Sequence, residues 1–394
     1  MRIAAILLAG VLFAGCSAAS LPQGTPGGSA VATPSGSPSS ESTSTAQPSS
    51  AQAPTCSAEA ASLSLAEQVG QLVMVGVNVE LSAAQRAAIR EHHLGSAIVM
   101  GATPGGVKQV AALTAKLDAL GGDTGMLVAA DQEGGLVQRL KGPGFATIPS
   151  AAQQARLSDS RLAARASGWG EQLVQAGVTL DLAPVADVVP SRYQATNQPI
   201  ARLGRGYGSD PKTVSAKVAA FSEGIHAAGA AVAVKHFPGL GAVSGNTDFA
   251  ATVVDRTTTA SSARLRPFRD AVADGADAVM VSSARYIKID PDNLAMFSPT
   301  VIGLLREWGF DRVVVSDDLG AAAAVGSVPA AERAVRFVRA GGDLALTVDV
   351  TTAGPMASGL RKAAEADPQL ASRVAESATR VLALKASLGL YRCG

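Results

Sequence analysis

The feature that most constrains the fold of this chain is an alternation of short apolar runs with longer amphipathic stretches, between about residues 60 and 392. The runs are rich in β-branched residues and bounded by Gly, Pro or Asp, which is typical of strands. They lie at residues 71–77, 96–100, 125–130, 179–183, 231–235, 276–282, 312–316 and 344–350. Helical patterns separate most of them, for example at residues 83–92, 106–120, 162–176, 211–228 and 265–274. Eight strands alternating with helices predict a parallel α/β fold, either a (β/α)₈ barrel or an open doubly wound sheet.

The composition excludes several functional classes. Lys and Arg number 33 against 32 Asp and Glu, so the net charge of +1 lacks the basic excess of a nucleic-acid-binding protein. A hydrophobic fraction of 47% is too high for a wholly disordered chain. Four His and three Cys are too few for several metal sites, and His92 and His93 lack the partner residues of a zinc motif. The sequence contains no Walker motif, no Rossmann fingerprint and no Gly-x-Ser-x-Gly elbow accompanied by His and Asp.

The N-terminal sixteen residues have the pattern of an export signal. Arg2 supplies a positive charge, and the apolar stretch over residues 3–14 is too short to span a bilayer. The stretch ends in the sequence FAGC, which resembles a bacterial lipobox. We predict a lipoprotein signal peptide over residues 1–16 with lipid attached to Cys16. The alternative is an ordinary cleaved signal peptide.

Residues 17–54 differ sharply in composition from the rest of the chain. They are almost all Ser, Thr, Pro, Gly, Ala and Gln, with Glu41 as the only charge, and we predict a disordered tether. Residues 55–394 form the predicted folded domain. Cys56 and Cys393 stand at its two edges, and outside the cytoplasm such a pair predicts a disulfide that joins the ends of the domain. The alternative is two unrelated free thiols.

Polar residues gather where four of the predicted strands end. The sequences are DQEGG at 131–135, DLAPVAD at 181–187, KHFPG at 235–239 and SDDLG at 316–320. In a barrel the carboxyl ends of the strands form one rim, so these clusters predict a polar pocket. Each cluster also has a structural explanation: Asp317 or Asp318 could cap a helix, and His236 could be a core histidine. Lys235 at the end of an apolar strand, however, needs an anionic or polyhydroxy partner.

A rim rich in carboxylates and without metal ligands suits glycoside hydrolysis, in which two carboxyl groups flank the bond that is broken. At these residues the sequence resembles glycoside hydrolase family 3, and specifically its single-domain bacterial β-N-acetylglucosaminidases. The resemblance covers about residues 64 to 388. It rests on the DQEGG run followed by VQR at 137–139, on DLAPVADV at 181–188, RGYGSDP at 205–211, KHFPG at 235–239 and VSDDL at 315–319. It implies the (β/α)₈ barrel rather than the open sheet, as a single catalytic domain.

The resemblance also implies a role for each matching residue. Asp317 matches the nucleophile that forms a covalent glycosyl-enzyme in a retaining reaction. The matching substrate-binding residues, which hold the hydroxyls of the terminal sugar, are Asp131, Arg139, Arg205, Lys235 and His236. No metal and no organic cofactor is required by this chemistry.

The sequence departs from the family pattern at the acid/base. Members commonly carry KHFPGHG followed by an Asp-Ser-His loop, whereas here Leu240 follows KHFPG and the loop reads Asn246-Thr247-Asp248. No His follows His236, so we predict Asp248 as the general acid/base, with a pKa raised by partial burial and by Asp317. The alternative is an Asp in an Asx-type turn. Two further departures, Leu136 in place of Arg and Ser283 in place of His, do not touch the nucleophile.

The sequence therefore predicts a membrane-tethered, retaining exo-β-N-acetylglucosaminidase that removes GlcNAc from peptidoglycan-derived fragments or other GlcNAc-terminated glycans. We expect a monomer held at the outer face of the cell membrane by lipid on Cys16, with no nucleic-acid partner. Two alternatives stay open. One is a non-catalytic glycan-binding lipoprotein that has lost its proton donor, and the other is a family 3 exo-β-glycosidase with different sugar specificity.

Overall fold

The structure is a computed structural model, and it describes residues 56–394. The predicted signal peptide over residues 1–16, its lipidation site Cys16 and the tether over residues 17–54 lie outside the described residues. Among the helices described, none is long and apolar enough to cross a membrane.

The described chain alternates strands and helices along its whole length. The strands are β1 Val73–Val77, β2 Ser96–Val99, β3 Leu127–Ala130, β4 Gln132–Gly134, β5 Val137–Gln138, β6 Leu180–Asp181, β7 Ala231–Phe237, β8 Val254–Asp255, β9 Ala278–Val281, β10 Arg285–Tyr286, β11 Asp290–Leu294, β12 Val313–Ser316 and β13 Ala345–Thr347. The α-helices are α1 Ser57–Ser62, α2 Leu65–Gln71, α3 Ala83–Glu91, α4 Gly106–Asp118, α5 Ala151–Gln154, α6 Asp159–Gln175, α7 Pro211–Ala227, α8 Arg266–Ala273, α9 Pro299–Glu307, α10 Ala330–Arg339, α11 Val350–Ala366 and α12 Pro368–Ser387.

Eight strands form one parallel sheet in the order β12-β9-β7-β6-β3-β2-β1-β13. Each neighbouring pair is parallel, and a further parallel bridge between Val315 and Leu344 joins the two ends of the sheet. With that bridge the sheet closes on itself, and around the closed sheet each strand lies beside the barrel strands that precede and follow it in the chain. This is the arrangement of a (β/α)₈ barrel. The predicted fold is confirmed, and each of the eight predicted apolar runs coincides, fully or in part, with one barrel strand. The fifth run was set too short, because β7 continues through Lys235 and His236 to Phe237.

The alternation of side chains along the strands produces two apolar layers. Residues such as Met74, Leu180 and Val315 fill the inside of the barrel. Their neighbours along the chain, such as Val75 and Val314, pack outward against the helices. Burial on both faces explains why the strands appear in the sequence as continuous apolar runs.

Two short β-structures stand beyond the carboxyl ends of the barrel strands. The hairpin β4–β5 follows β3, and a small sheet of β8, β10 and β11 is built from the segments after β7 and β9. Gly134 and Gly135 both have positive φ angles, and a Cβ on Gly134 would lie 2.3 Å from the carbonyl oxygen of Pro149. The double glycine therefore makes the tight turn of the hairpin and places Leu136 at its tip.

The two ends of the described chain meet at the opposite side of the barrel. A disulfide joins Cys56 to Cys393, with the Cα atoms 5.1 Å apart, and the backbone N–H of Gly394 donates to Glu59. The backbone of Leu390 lies next to Gly125, which precedes β3. The disulfide is therefore on the side of the barrel away from the carboxyl ends of the strands.

Candidate active site

A cavity of about 590 Å³ opens at the carboxyl ends of the barrel strands. Its lining includes every residue that the sequence predicts for the site: Asp131, Arg139, Arg205, Lys235, His236, Asp248 and Asp317. Lys235 and His236 lie at the end of β7, and the other residues lie on the segments that follow barrel strands, so closure of the barrel brings them together. The location agrees with the position at which barrel enzymes carry their chemistry.

Lys235 forms the base of the cavity, and its side chain is only 2% exposed. Its Nζ lies 2.7 Å from Asp131 Oδ1 and 2.7 Å from Glu133 Oε1. Burial lowers the pKa of Lys235, but the two carboxylates outweigh burial and raise the pKa above its usual range. The anionic partner that the sequence required for this buried cation is therefore a pair of carboxylates.

Arg205 extends the same ionic cluster. Its Nε and Nη2 donate to the two carboxylate oxygens of Glu133 at 2.8 and 2.6 Å, a bidentate arrangement that fixes the guanidinium plane. Burial raises the pKa of Glu133, but the positive charges of Arg205 and Lys235 outweigh burial and lower the pKa to about 2. Glu133 therefore holds the two cations in place and keeps its charge throughout the physiological range.

His236 is held from both sides of its ring. Nδ1 lies 2.8 Å from Asp187 Oδ2, and Nε2 lies 3.1 Å from Nη2 of Arg205. Since guanidinium only donates, Nε2 must accept from Arg205, and the proton of a neutral ring is then on Nδ1, directed at Asp187. Asp187 also accepts from the backbone N–H of Leu240 at 2.6 Å, which anchors the chain after β7.

Two of these partners, Glu133 and Asp187, were not assigned by the sequence analysis. Both stand within the motifs that carry the family resemblance, but the pairs that they form join residues 72 and 49 positions apart. A buried Lys and an Arg at one rim require carboxylate partners to balance their charge. That requirement is the signal from which such partners could have been predicted.

Asp317 stands directly after β12 and faces the cavity. Oδ1 accepts from the backbone N–H of Asp318 at 2.9 Å, and Ser283 Oγ donates to Oδ2 at 3.4 Å. The expectation that Ser283 does not touch Asp317 was therefore wrong, because the strand ends that carry the two residues are neighbours in the barrel. Asp318 instead accepts from four backbone N–H groups, those of Gly320, Ala321, Ala322 and Val348. The sequence analysis left open whether Asp317 or Asp318 caps the backbone that follows. The structure gives this capping role to Asp318, and the carboxylate of Asp317 is directed at the cavity.

Asp248 lies on the loop after β7, at the mouth of the same cavity. The Asx-type turn here is made by Asn246, whose Oδ1 accepts from the backbone N–H of Asp248 at 3.0 Å. Within the described residues, the carboxylate of Asp248 accepts no hydrogen bond. More than a third of the residue is open to solvent, yet partial burial is the largest cause of a raised pKa, and the charge of Asp317 adds to it. Arg205 and His236 oppose this increase.

The loop of Asp248 is attached to the loop that follows Asp317. The backbone N–H groups of Ala323 and Ala324 donate to the carbonyl oxygens of Asp248 and Thr247, both at 3.2 Å. These two hydrogen bonds fix the backbone beside Asp248 relative to the strand end that carries Asp317. A carboxyl group with a raised pKa and the carboxyl group of Asp317 therefore line the same cavity on loops that are joined to each other.

Arg139 is the cation of the cavity that has no anionic partner among the described residues. Its backbone N–H donates to the carbonyl oxygen of Asp131, and its side-chain Nε is buried without a hydrogen-bond partner. Such a buried, unpartnered donor is uncommon in a folded protein, and here it belongs to a residue that lines the cavity. The described residues contain no group of three or more His, Cys, Asp and Glu side chains arranged to hold a metal ion.

Residues 64–384 match the N-terminal domain of glycosyl hydrolase family 3. The chain belongs to this family. The β-hexosaminidase LpqI of Mycobacterium tuberculosis is 30% identical to it over 334 residues, which cover 82% of this chain and 84% of that protein. A β-hexosaminidase of Xanthomonas oryzae pv. oryzae is 32% identical over 285 residues, 70% of this chain and 83% of that protein.

Solved structures of family 3 proteins share the barrel. The β-N-acetylhexosaminidase of Beutenbergia cavernae superposes with a TM-score of 0.81 at 43% identity, covering 82% of this chain and 98% of that chain. The family 3 β-N-acetylglucosaminidase of a Paenibacillus species gives a TM-score of 0.75 at 31% identity, covering 83% of this chain and 63% of that chain. The resemblance seen in the sequence is confirmed, and the chain is a glycosidase of family 3.

Proposed function

We propose that this protein is a retaining exo-β-N-acetylglucosaminidase that releases terminal GlcNAc from peptidoglycan-derived fragments of the GlcNAc–MurNAc type. The observation that carries the proposal is a polar cavity lined both by the Lys235 and Arg205 cations, which Glu133 holds, and by the carboxyl group of Asp317, which has no cationic partner among the described residues. Relatives that match most of this chain are named β-hexosaminidases, which supports the N-acetylhexosaminide class. The predicted export signal supports a substrate in the cell envelope.

The reaction would proceed in two steps. Asp317 attacks the anomeric carbon while the glycosidic C–O bond breaks, and Asp248 gives its proton to the leaving oxygen. Water then attacks the same carbon, Asp248 takes a proton from that water, and the bond to Asp317 breaks. Two inversions give net retention. The raised pKa of Asp248 supports its role as the acid of the first step, because it keeps the proton to a higher pH than an ordinary aspartate.

The cluster at the base of the cavity supports an exo mode of action. Buried charged donors and acceptors bind the hydroxyls of one sugar and reject an analogue that leaves them unpaired. Arg139, which also lines the cavity and has no anionic partner among the described residues, adds a positive charge there. Among the described residues that line the cavity, Phe249 is the one Phe, Tyr or Trp, which supports a pocket for a terminal sugar rather than a long cleft with a row of aromatic side chains.

The deciding experiment compares p-nitrophenyl β-N-acetylglucosaminide with p-nitrophenyl β-glucoside. We expect release of p-nitrophenol from the first substrate and little from the second. Asp317→Asn keeps the size of the side chain and removes the nucleophile, so turnover should fall about a thousandfold or more. Sugar binding without turnover by the wild type would favour the non-catalytic glycan-binding protein, and preference for the glucoside would favour another family 3 specificity.

We also propose that the protein is exported and attached to the outer face of the cell membrane by lipid on Cys16. The proposal is supported by the charged N-terminus, the short apolar stretch and the FAGC sequence before the mature chain. Detergent phase partitioning of the expressed protein tests it. The wild type should enter the detergent phase and Cys16→Ala should not, and equal partitioning of the two would contradict lipidation.

A further inference from the structure

Large apolar side chains that are strongly exposed are rare in the described part of the chain, and they are unevenly placed. There are three: Leu136 is 73% exposed, Phe249 is 85% exposed and Val174 is 42% exposed. Leu136 and Phe249 both line the active-site cavity, whereas Val174 lies on α6. Single exposed apolar residues need no explanation, but two at one cavity mouth indicate a contact surface.

Both side chains are presented by fixed backbone. Leu136 stands at the tip of the β4–β5 hairpin, directly after the double glycine turn. Phe249 follows Asp248 in the loop whose carbonyl oxygens accept hydrogen bonds from Ala323 and Ala324. The exposure of these two residues is therefore a property of the folded site rather than of a free chain end.

The chemistry of the cavity separates into two zones. The charged groups that would hold the terminal sugar are buried, as the 2% exposure of Lys235 and the 3% exposure of Glu133 show. Leu136 and Phe249 are exposed at the mouth. Since the terminal sugar occupies the polar zone and the bond broken lies between Asp317 and Asp248, the leaving group must extend toward the mouth.

We propose that Leu136 and Phe249 form the binding site for the leaving group, and that this site takes a second pyranose ring by its apolar face. The C–H face of a pyranose is the part of a sugar that packs against aromatic and aliphatic side chains, and burial of Phe249 and Leu136 beneath it removes apolar surface from water. A second cavity of about 460 Å³ adjoins the first at Leu136, Val137 and Arg139, which gives the ring room beyond the mouth. The inference rests on the proposed glycosidase activity and adds its leaving-group preference.

The test compares two substrates in wild type and variants. One is the β-1,4-linked disaccharide of GlcNAc, whose leaving group is a pyranose, and the other is methyl β-N-acetylglucosaminide, whose leaving group has no ring. Phe249→Ala and Leu136→Ala should each lower kcat/KM for the disaccharide about tenfold and leave kcat/KM for the methyl glycoside within about twofold. Phe249→Tyr keeps the aromatic ring and should hydrolyse the disaccharide at the wild-type rate. Val174→Ala, an exposed apolar residue away from the cavity, should change neither rate.

The outcomes separate the inference from the proposal on which it rests. Unchanged disaccharide kinetics in both alanine variants would overturn the leaving-group site while leaving the proposed activity in place. An equal loss on the two substrates would also overturn it, because the side chains would then serve the terminal sugar or the loop. A wild type that hydrolyses neither substrate would overturn the proposed function itself and the inference with it.

Discussion

At the residue scale, Asp317 and Asp248 differ in what surrounds their carboxyl groups. Asp317 accepts hydrogen bonds from the backbone N–H of Asp318 and from Ser283 Oγ. Asp248 accepts none from the described residues, and partial burial and the charge of Asp317 raise its pKa. Separate environments for two carboxyl groups are how a glycosidase assigns a nucleophile and an acid.

Replacement of Asp248 by Ala should therefore depend on the leaving group. Hydrolysis of a poor leaving group, such as a methyl glycoside, should fall about 10²–10⁴-fold, because its oxygen needs the proton. A 2,4-dinitrophenyl glycoside should form the glycosyl-enzyme almost as fast as before, and added azide should speed its turnover and yield a β-glycosyl azide. The measurements are kcat/KM for both substrates, which reports formation of the glycosyl-enzyme, and kcat for the 2,4-dinitrophenyl glycoside with and without azide, which reports its breakdown.

A matched control for that experiment is Asp274→Ala, an exposed aspartate at the end of α8 outside the active-site cavity. It should leave both substrates unaffected. In the wild type, kcat/KM for the poor leaving group should decrease as the pH rises through the raised pKa of Asp248. If Asp248→Ala hydrolyses good and poor leaving groups at wild-type rates, Asp248 has no part in the mechanism.

At the element scale, the sequence predicts long periodic elements well and short or paired ones poorly. Helix α7 was expected at residues 211–228 and is Pro211–Ala227, since Pro at its first turn and the apolar period of the helix are local signals. The hairpin β4–β5 and the sheet of β8, β10 and β11 were missed, because strands of two to five residues leave no readable period.

The candidate site shows the same limit. Individual donors such as Lys235 and Asp317 could be named, because they end apolar strands and match a family pattern. Their partners depend on contacts between distant parts of the chain. No local feature of the sequence distinguishes Glu133, which holds Arg205, from Asp131, which shares Lys235 and also faces the cavity. The closed barrel shows the difference: Glu133 pairs with both Arg205 and Lys235, whereas Asp131 pairs with Lys235 and lines the cavity.

The disulfide between Cys56 and Cys393 should stabilise the two terminal segments of the domain. Helix α1 has only six residues and cannot be stable alone, so its attachment to the end of the chain should matter to stability. The disulfide closes a loop with a sequence separation of 337, and the double variant Cys56→Ser, Cys393→Ser should lower Tm by roughly 5–10 °C.

Calorimetry with and without a reducing agent measures this effect, with the double serine variant as the control that should not respond to reduction. Activity at 25 °C should be unchanged, because the disulfide lies on the side of the barrel away from the active-site cavity. A Tm that is the same for the wild type and the double variant would show that the bond does not contribute to the stability of the domain.

At the scale of the whole molecule, two buried ionisable groups impose opposite dependences of stability on pH. Burial raises the pKa of Asp181 to about 8, against the opposing charge of Lys235, and its Oδ2 is buried without a hydrogen-bond partner. At the other end of the barrel, burial lowers the pKa of Lys385 to about 7, and its Nζ donates to the side-chain oxygen of Gln71 and the carbonyl oxygen of Gly125. Each group therefore prefers to be neutral in the folded protein.

The direction of each pH dependence is set by whether the folded or the unfolded protein binds the extra proton. Between pH 3.8 and about 8 the folded protein holds a proton on Asp181 that the unfolded chain has lost, so this group makes the free energy of unfolding decrease as pH rises. Between about pH 7 and 10.5 the unfolded chain holds a proton on Lys385 that the folded protein lacks, so this group makes it increase. Midway between the folded and unfolded pKa values, each slope is about 1.4 kcal/mol per pH unit. The free energy of unfolding of Asp181→Asn, relative to that of the wild type, should therefore increase from pH 5 to 7. The free energy of unfolding of Lys385→Met, relative to that of the wild type, should decrease from pH 8 to 10. Urea denaturation of the three proteins at each pH measures these differences. A constant difference for Asp181→Asn across its window would mean that the carboxyl is charged inside the barrel, and a constant difference for Lys385→Met would mean the same for the ammonium group.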